Sequence, residues 1–245
     1  MKSLGFNTIR LPFCNEMFDD GKEANSVDFH QNPDLEGLKP IEIMDKIVDY
    51  AGEIGLRIIL DHHRNSAGIG ALDDGLWYDG NYDEARWIAD WEMLAERYKG
   101  KPAVIGADLH NEPHGPAHWA SGSDATDWRA AAERCGNAVL AVNSDWLILV
   151  EGVEFHDGEN YWWGGNLAGA KDDPIRLTVP NRLVYSPHCY PNSIHAQAWF
   201  SDPSYPDNLP AKWNEIWGYL YRDNVAPVLI GEFGSKFEDP KDGPW

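Results

Sequence analysis

Six short apolar runs, spread over the whole chain, constrain the fold more than any other feature. They fall at residues 6–11 (FNTIRL), 56–61 (LRIILD), 103–108 (AVIGAD), 146–151 (WLILVE), 182–186 (RLVYS) and 227–231 (PVLIG). Near-continuous apolar character marks strands covered on both faces, which favours a parallel sheet over a half-exposed antiparallel one. Helical patterns lie between them. Residues 40–54 begin at a proline, carry Ile43, Ile47 and Tyr50 at helical spacing, and stop before Gly55. Residues 82–98 end near Gly100, and residues 124–142 start at a potential N-cap, Asp124, and carry Trp128, Ala132, Cys135 and Val139 on one face. A last amphipathic segment covers 210–223. Strand alternating with helix predicts repeated βα units and a right-handed parallel α/β fold.

Successive runs lie about 40–50 residues apart, more than the roughly 30 of a minimal βαβ unit. The surplus falls after the strands, in loops 64–80, 112–123, 152–181 and 189–208, rich in Gly, Asn, Asp, Pro and Trp. Long loops on one face of such a scaffold are where sites are built. Polar groups also collect at the run ends: Arg10 near the first, Asp61-His62-His63-Arg64 after the second, and His110-Asn111-Glu112 after the third. Glu151 closes the fourth, His188 and Tyr190 follow the fifth, and Glu232 follows the sixth. In an eight-stranded α/β barrel these ends converge on one mouth. One such residue is explained as a strand cap; six sets in register are not.

The formal charge of −20 repels phosphate backbones and anionic lipid, so neither nucleic acid nor a membrane surface is expected as a partner. No apolar run approaches the roughly 20 residues of a membrane span. The opening MKSLGFNTIRLPF does not read as a signal peptide. Cys14, Cys135 and Cys189 have no zinc-type spacing and read as buried or free thiols, with one disulfide left open. The 12 Trp and 10 Tyr include several in polar contexts, namely Trp77-Tyr78, Tyr161-Trp162-Trp163, Trp199, Trp213 and Trp217. A flat indole suits the apolar face of a pyranose ring.

Two carboxylates stand out: Glu112 in Asn111-Glu112-Pro113 and Glu232 in Gly231-Glu232-Phe233-Gly234. Glycoside hydrolysis needs such a pair, one to protonate the leaving oxygen and one to attack or to activate water, with different pKa values. Arg10 beside a nucleophilic carboxylate would keep it ionised, His188 and Tyr190 would orient the pair, and Asn111 would donate to a sugar 2-OH.

At these residues the chain resembles glycoside hydrolase family 5, and within it the bacterial endo-β-1,4-glucanases (cellulases). The matching segments are Gly5-Phe6-Asn7-Thr8-Ile9-Arg10-Leu11-Pro12, Asp61-His62-His63-Arg64, Asp108-Leu109-His110-Asn111-Glu112-Pro113-His114, Val150-Glu151-Gly152, Tyr161 to Leu167, Tyr185-Ser186-Pro187-His188 with Tyr190, and Gly231-Glu232-Phe233-Gly234. The resemblance implies a TIM (β/α)8 barrel, residues 1–245 as one catalytic domain, and retaining double displacement on β-1,4-glucan. Glu232 would be the nucleophile and Glu112 the acid/base. Arg10, His63 rather than His62, Asn111, His188 and Tyr190 would support them, and Trp162 and Trp163 would line the cleft. It implies no metal or cofactor, a monomer, and secretion, since the substrate is a polymer. By the same resemblance the barrel's first and eighth strands are missing from this chain, which predicts exposed strand edges and poor solubility. The choice among cellulose, mixed-linkage glucan, xyloglucan and mannan stays open.

Two other readings compete. Asp61-His62-His63, with His110 and His114 at i, i+4, resembles a metal-dependent hydrolase, although Pro113 argues against a helix presenting both histidines. A glucan-binding chain without turnover is the other.

Overall fold

The computed structural model describes residues 1–69 and 74–245. Residues 70–73 of the loop read at 64–80 lie outside the described residues. Five strands form one parallel sheet in sequence order: β1 (Thr8–Cys14), β2 (Arg57–Arg64), β3 (Val104–Asp108), β4 (Leu147–Val150) and β7 (Leu183–Tyr185). Strands β5 (Phe155–His156) and β6 (Glu159–Asn160) form a small hairpin in the loop after β4. The sixth apolar run is strand-like without a full ladder. Tyr185 bridges Val228, the Tyr185 N–H donates to the Pro227 carbonyl, and the Leu229 N–H donates to the Tyr185 carbonyl. Among the described residues β1 does not pair with 227–231, so the sheet is open there.

Alternation along the strands sorts the side chains. Ile58, Leu60, Ala107, Ile148, Val150 and Tyr185 join the large core beneath the helices. Ile59, Leu149 and Val184 form a smaller cluster on the opposite, inner face. Period two then carries Asp61 and His63 onto the inner face with Ile59, Glu151 with Leu149, and Ser186 and His188 with Val184. His62 falls on the outer face, where it is fully buried against Phe13 and Trp87.

Helix α1 (Pro40–Ile54) has the predicted bounds, with Pro40 in its first turn and Gly55 left-handed at its end. The buried face is not the predicted one. Met44, Val48 and Ala51 turn inward, while Ile47 and Tyr50 are exposed, because both stripes are apolar and the sheet takes the one that fits against it. Helix α2 (Glu84–Arg97) is capped by Asp83, which accepts from the Arg86 N–H. Helix α3 (Trp128–Val142) is capped by Asp127, not Asp124. The Trp128 N–H donates to the His118 carbonyl, and this link to the preceding loop sets the later start. Trp128, Ala132, Cys135 and Val139 are buried as expected. The segment expected at 210–223 is helical in three pieces: α4 (Leu209–Trp213), a π turn (Asn214–Gly218) and α5 (Tyr219–Arg222).

Trp77, read as a possible sugar platform, is fully buried with Trp87 and Trp128. All three cysteines are free, Cys14 half-buried and the others buried. No described helix is long and apolar enough to cross a membrane.

Candidate active site

Arg10 is the hub at the strand ends. It does not lie near the end of β1, as the apolar run implied. The strand continues through Pro12, which an edge strand tolerates, so Arg10 sits mid-strand and its long side chain reaches up to the mouth. Its Nη1 donates to Glu232 Oε1 at 2.7 Å, and its Nε to Asp108 Oδ2 at 2.8 Å. Its Nη2 serves Asp61 Oδ1 (2.9 Å), Asn111 Oδ1 (3.0 Å) and Glu151 Oε1 (3.0 Å). The side chains of Asp61, Asp108 and Glu151 are wholly buried, so this shared guanidinium offsets a desolvation cost that none of them would bear alone.

That field divides the carboxylates. Burial alone would raise Glu232, but His188, Arg10 and the Tyr190 hydroxyl hold it below the ordinary carboxylate range. The Tyr190 hydroxyl donates to Glu232 Oε2 at 2.6 Å. Asp108 moves the other way, pushed to about 6 by burial and by Asp61, with Arg10 opposing. Burial also drives Glu151 up, against His188 and Arg10. His188 lies between acids: its Nδ1 is 3.1 Å from Glu112 Oε1 and its Nε2 is 3.1 Å from Glu151 Oε1. Burial pulls its imidazole down, but Glu151, Glu112 and Glu232 outweigh this and raise it to about 10. One carboxylate oxygen each from Glu112 and Glu232, and a His188 nitrogen, all lie within 4.8 Å of one another.

A cleft of about 630 Å³ opens over this group. The family model described as cellulase (glycosyl hydrolase family 5) matches residues 1–243. The chain belongs to glycosyl hydrolase family 5. An endoglucanase of Paenibacillus polymyxa is 55% identical over 250 residues, covering 100% of this chain and 62% of that protein. The major extracellular endoglucanase of Xanthomonas campestris pv. campestris is 41% identical over 252 residues, covering 100% and 51%. A solved cellotetraose complex of an endocellulase variant from Pyrococcus horikoshii superposes with a TM-score of 0.90 at 42% identity, covering 100% of this chain and 70% of that one. This family 5 chain therefore spans 62% and 51% of the two curated relatives' lengths. Its fold is the family's (β/α)8 barrel, of which the described residues hold the parallel strands above.

Of the residues expected at a family 5 site, His63, Glu112, Trp162, Trp163, Tyr190 and Glu232 line the cleft. Arg10 bonds Glu232 and Asn111, and His188 lies against both glutamates. His63 Nδ1 hydrogen-bonds Asp61 Oδ2 at 2.7 Å, an inner-face pair. The two tryptophans differ. Trp162 is only 7% exposed, its ring edge-on to Tyr190, whereas Trp163 is 42% exposed and stacks on His114 at 3.7 Å. Tyr161, noted among the aromatics in polar contexts, also lines the cleft; Glu154, Asn160, Ile194, His195 and Gln197 do too and were not singled out, because they lie in loops with no periodic pattern. Glu151 was legible as the polar end of the fourth run and His114 as a partner of His110 in the metal-hydrolase reading, but no pattern in the chain revealed the contact of either with Glu112.

The metal-hydrolase grouping does not assemble among the described residues. His62 faces His110 (Nδ1 to Nδ1, 3.0 Å) and Asn15, on the outer face. His63 faces Asp61, and His114 packs on Trp163. Glu112, His188 and Glu232 are the one described trio close enough to share an ion, but Glu232 already accepts at both oxygens and His188 Nδ1 is engaged with Glu112.

Proposed function

We propose that this chain hydrolyses β-1,4-glucosidic bonds within cellulose or a related β-glucan by a retaining double displacement. The observation that carries this is the closeness of Glu112 and Glu232, one carboxylate oxygen of each lying within 4.8 Å of the other. Retaining pairs stand about 5–5.5 Å apart, while inverting pairs stand about 6.5–9.5 Å apart to admit a water. Glu232, held ionised by Arg10 and Tyr190, attacks the anomeric carbon. Glu112 gives its proton to the leaving glycosidic oxygen as the bond to Glu232 forms. It then takes a proton from water, which displaces Glu232 and leaves the product with its original configuration. Asn111, its Oδ1 held by Arg10, presents its amide NH2 to the sugar 2-OH. Trp163 offers an indole face to a glucose ring, Trp162 backs the cleft wall, and His63 closes it.

The endoglucanase relatives and the cellotetraose bound by the Pyrococcus endocellulase support the glucan substrate. Residues 1–245 act as one catalytic domain and as a monomer, with the cleft residues Glu112, Trp163, Tyr190 and Glu232 drawn from across this chain. The enzyme works outside the cell, where its polymeric substrate lies, as the Xanthomonas relative's name supports. The stereochemistry of the first product tests the mechanism. NMR during hydrolysis of cellotetraose should show the β-anomer appearing first; initial α-anomer would overturn the retaining assignment. Binding of cellotetraose with no sugar released would leave a binding protein instead.

A further inference from the structure

The backbone of Glu112 is unusual. It is a non-glycine residue at φ 53°, in the left-handed region that L side chains disfavour by about 1 kcal/mol or more. Its carboxyl stands against His188 and within 4.8 Å of a Glu232 oxygen, and the disfavoured backbone beneath it needs contacts that hold it. Its N–H donates to Glu151 Oε2 at 2.8 Å, and its carbonyl accepts from His114 Nδ1 at 2.6 Å. The next carbonyl, of Pro113, accepts from the Gly164 N–H at 3.3 Å. Glu151 also reaches the far end of the same residue: its Oε1 is 3.1 Å from His188 Nε2, and His188 Nδ1 is 3.1 Å from Glu112 Oε1.

Two hydrogen bonds, from Arg10 and the Glu112 N–H, and the His188 ring at 3.1 Å thus converge on one buried carboxylate, and two of these three groups connect to Glu112. Counter-charge for Arg10 does not account for this, because Asp61 and Asp108 already pair with Arg10. The neighbouring chain is shaped around the contact. A Cβ on Gly164 would lie 2.0 Å from Glu151 Oε2 and 3.1 Å from Glu112 Cα, so only glycine leaves room for this oxygen. His114 is itself locked, 3% exposed with its ring parallel to Trp163 at an interplanar angle of 5°. Since Trp163 lines the cleft, the clamp on Glu112 and the cleft wall form one packed unit.

We propose that Glu151, together with His114, is a positioning residue for acid/base catalysis: the two clamp the left-handed backbone of Glu112 so that its carboxyl meets the glycosidic oxygen. This rests on Glu112 being the acid/base, as proposed above. Misplacing a general acid harms substrates that need a proton and spares those that do not. In the protein carrying Glu151→Gln, kcat/KM for phenyl β-cellobioside should fall about 100-fold, and for 2,4-dinitrophenyl β-cellobioside less than about 3-fold. A merely structural loss lowers both together, so an equal fall, or no fall, overturns the proposal.

Glu112→Gln run alongside separates the two claims. If it shows no leaving-group dependence, the acid/base assignment fails. If it does and Glu151→Gln does not, only the clamp fails. Should Glu151→Gln fail to fold by circular dichroism, His114 decides. His114→Phe keeps the stack on Trp163 but removes the donor, and it should show the same selective loss. His114→Gln restores a donor and should return phenyl β-cellobioside hydrolysis to within about 3-fold of wild type. Equal behaviour of these two variants on both substrates overturns the clamp.

Discussion

Glu112 follows β3, in the interior of the sheet, whereas Glu232 follows the outermost segment, 227–231. Around Glu112 the chain is buried and its backbone is fixed at both N–H and carbonyl. Around Glu232 the main chain is held by isolated bridges at Val228 and Phe233, and Leu229, Phe233 and Phe237 are exposed. Glu232 is held at its carbonyl by the Cys189 N–H at 3.1 Å, and its side chain is aimed by Arg10 on one oxygen and Tyr190 on the other. The difference matches the proposed roles. A nucleophile needs its charge held and its oxygen aimed, which Arg10 from β1 and the Tyr190 hydroxyl from the loop after β7 accomplish. A group that gives a proton in one step and takes one in the next must stay aimed in both charge states, which backbone fixation accomplishes.

The contrast can be broken most forcefully at Glu232. Glu232→Ala should lower reducing-sugar release from carboxymethyl-cellulose by at least about 10⁴-fold while circular dichroism stays unchanged, since nothing replaces a covalent nucleophile. Full activity in that variant would sink the nucleophile assignment. On the other side, Gly164→Ala forces a methyl onto Glu151 and a left-handed φ on alanine. Chemical denaturation should show a loss of about 1–3 kcal/mol together with a large fall in kcat. Tyr190→Phe removes one charged hydrogen bond from Glu232, and kcat should drop about 10- to 100-fold with the fold intact.

Stability against pH sharpens the comparison more gently. His188 is raised from its ordinary value to about 10 in the folded state, so its contribution is complete below about pH 6.5 and disappears as pH climbs through about 10. His62 is pulled down to about 3 by burial, so stability should also fall as pH drops from about 6.5 towards 3. Glu232, held low, adds a loss below about pH 4.5. A Tm profile should be bell-shaped, and His188→Asn should flatten its alkaline side; an unchanged alkaline slope would count against the His188 charge. The smallest effect belongs to the outer segment. Phe233 is 72% exposed, and Phe233→Ser should move stability by less than about 0.5 kcal/mol.

Much of the site was legible because strand ends in a parallel barrel share one mouth. The reading erred where one stretch offers two equivalent faces. Helix α1 carries apolar residues on more than one stripe, so spacing selected Ile43, Ile47 and Tyr50 while packing selected Met44, Val48 and Ala51. Trp77 beside Gly75 and Asp79 reads as a loop platform, yet Trp87 and Trp128 from two helices enclose it.

The sequence by itself determined the strand and helix alternation, the helix stop at Gly55, the sharing of a face by Asp61 and His63, and the two glutamates with their motifs. These are local, set by period, turn chemistry and propensity within a few residues. Only the tertiary structure decided how deep Arg10 sits, that Glu112 adopts a left-handed backbone, and that Glu151 and His114 hold it there. Glu151 lies 39 residues from Glu112, and Arg10 lies 222 from Glu232. Contacts over such separations exist only once the strands are laid side by side, and they leave no periodic trace in the chain.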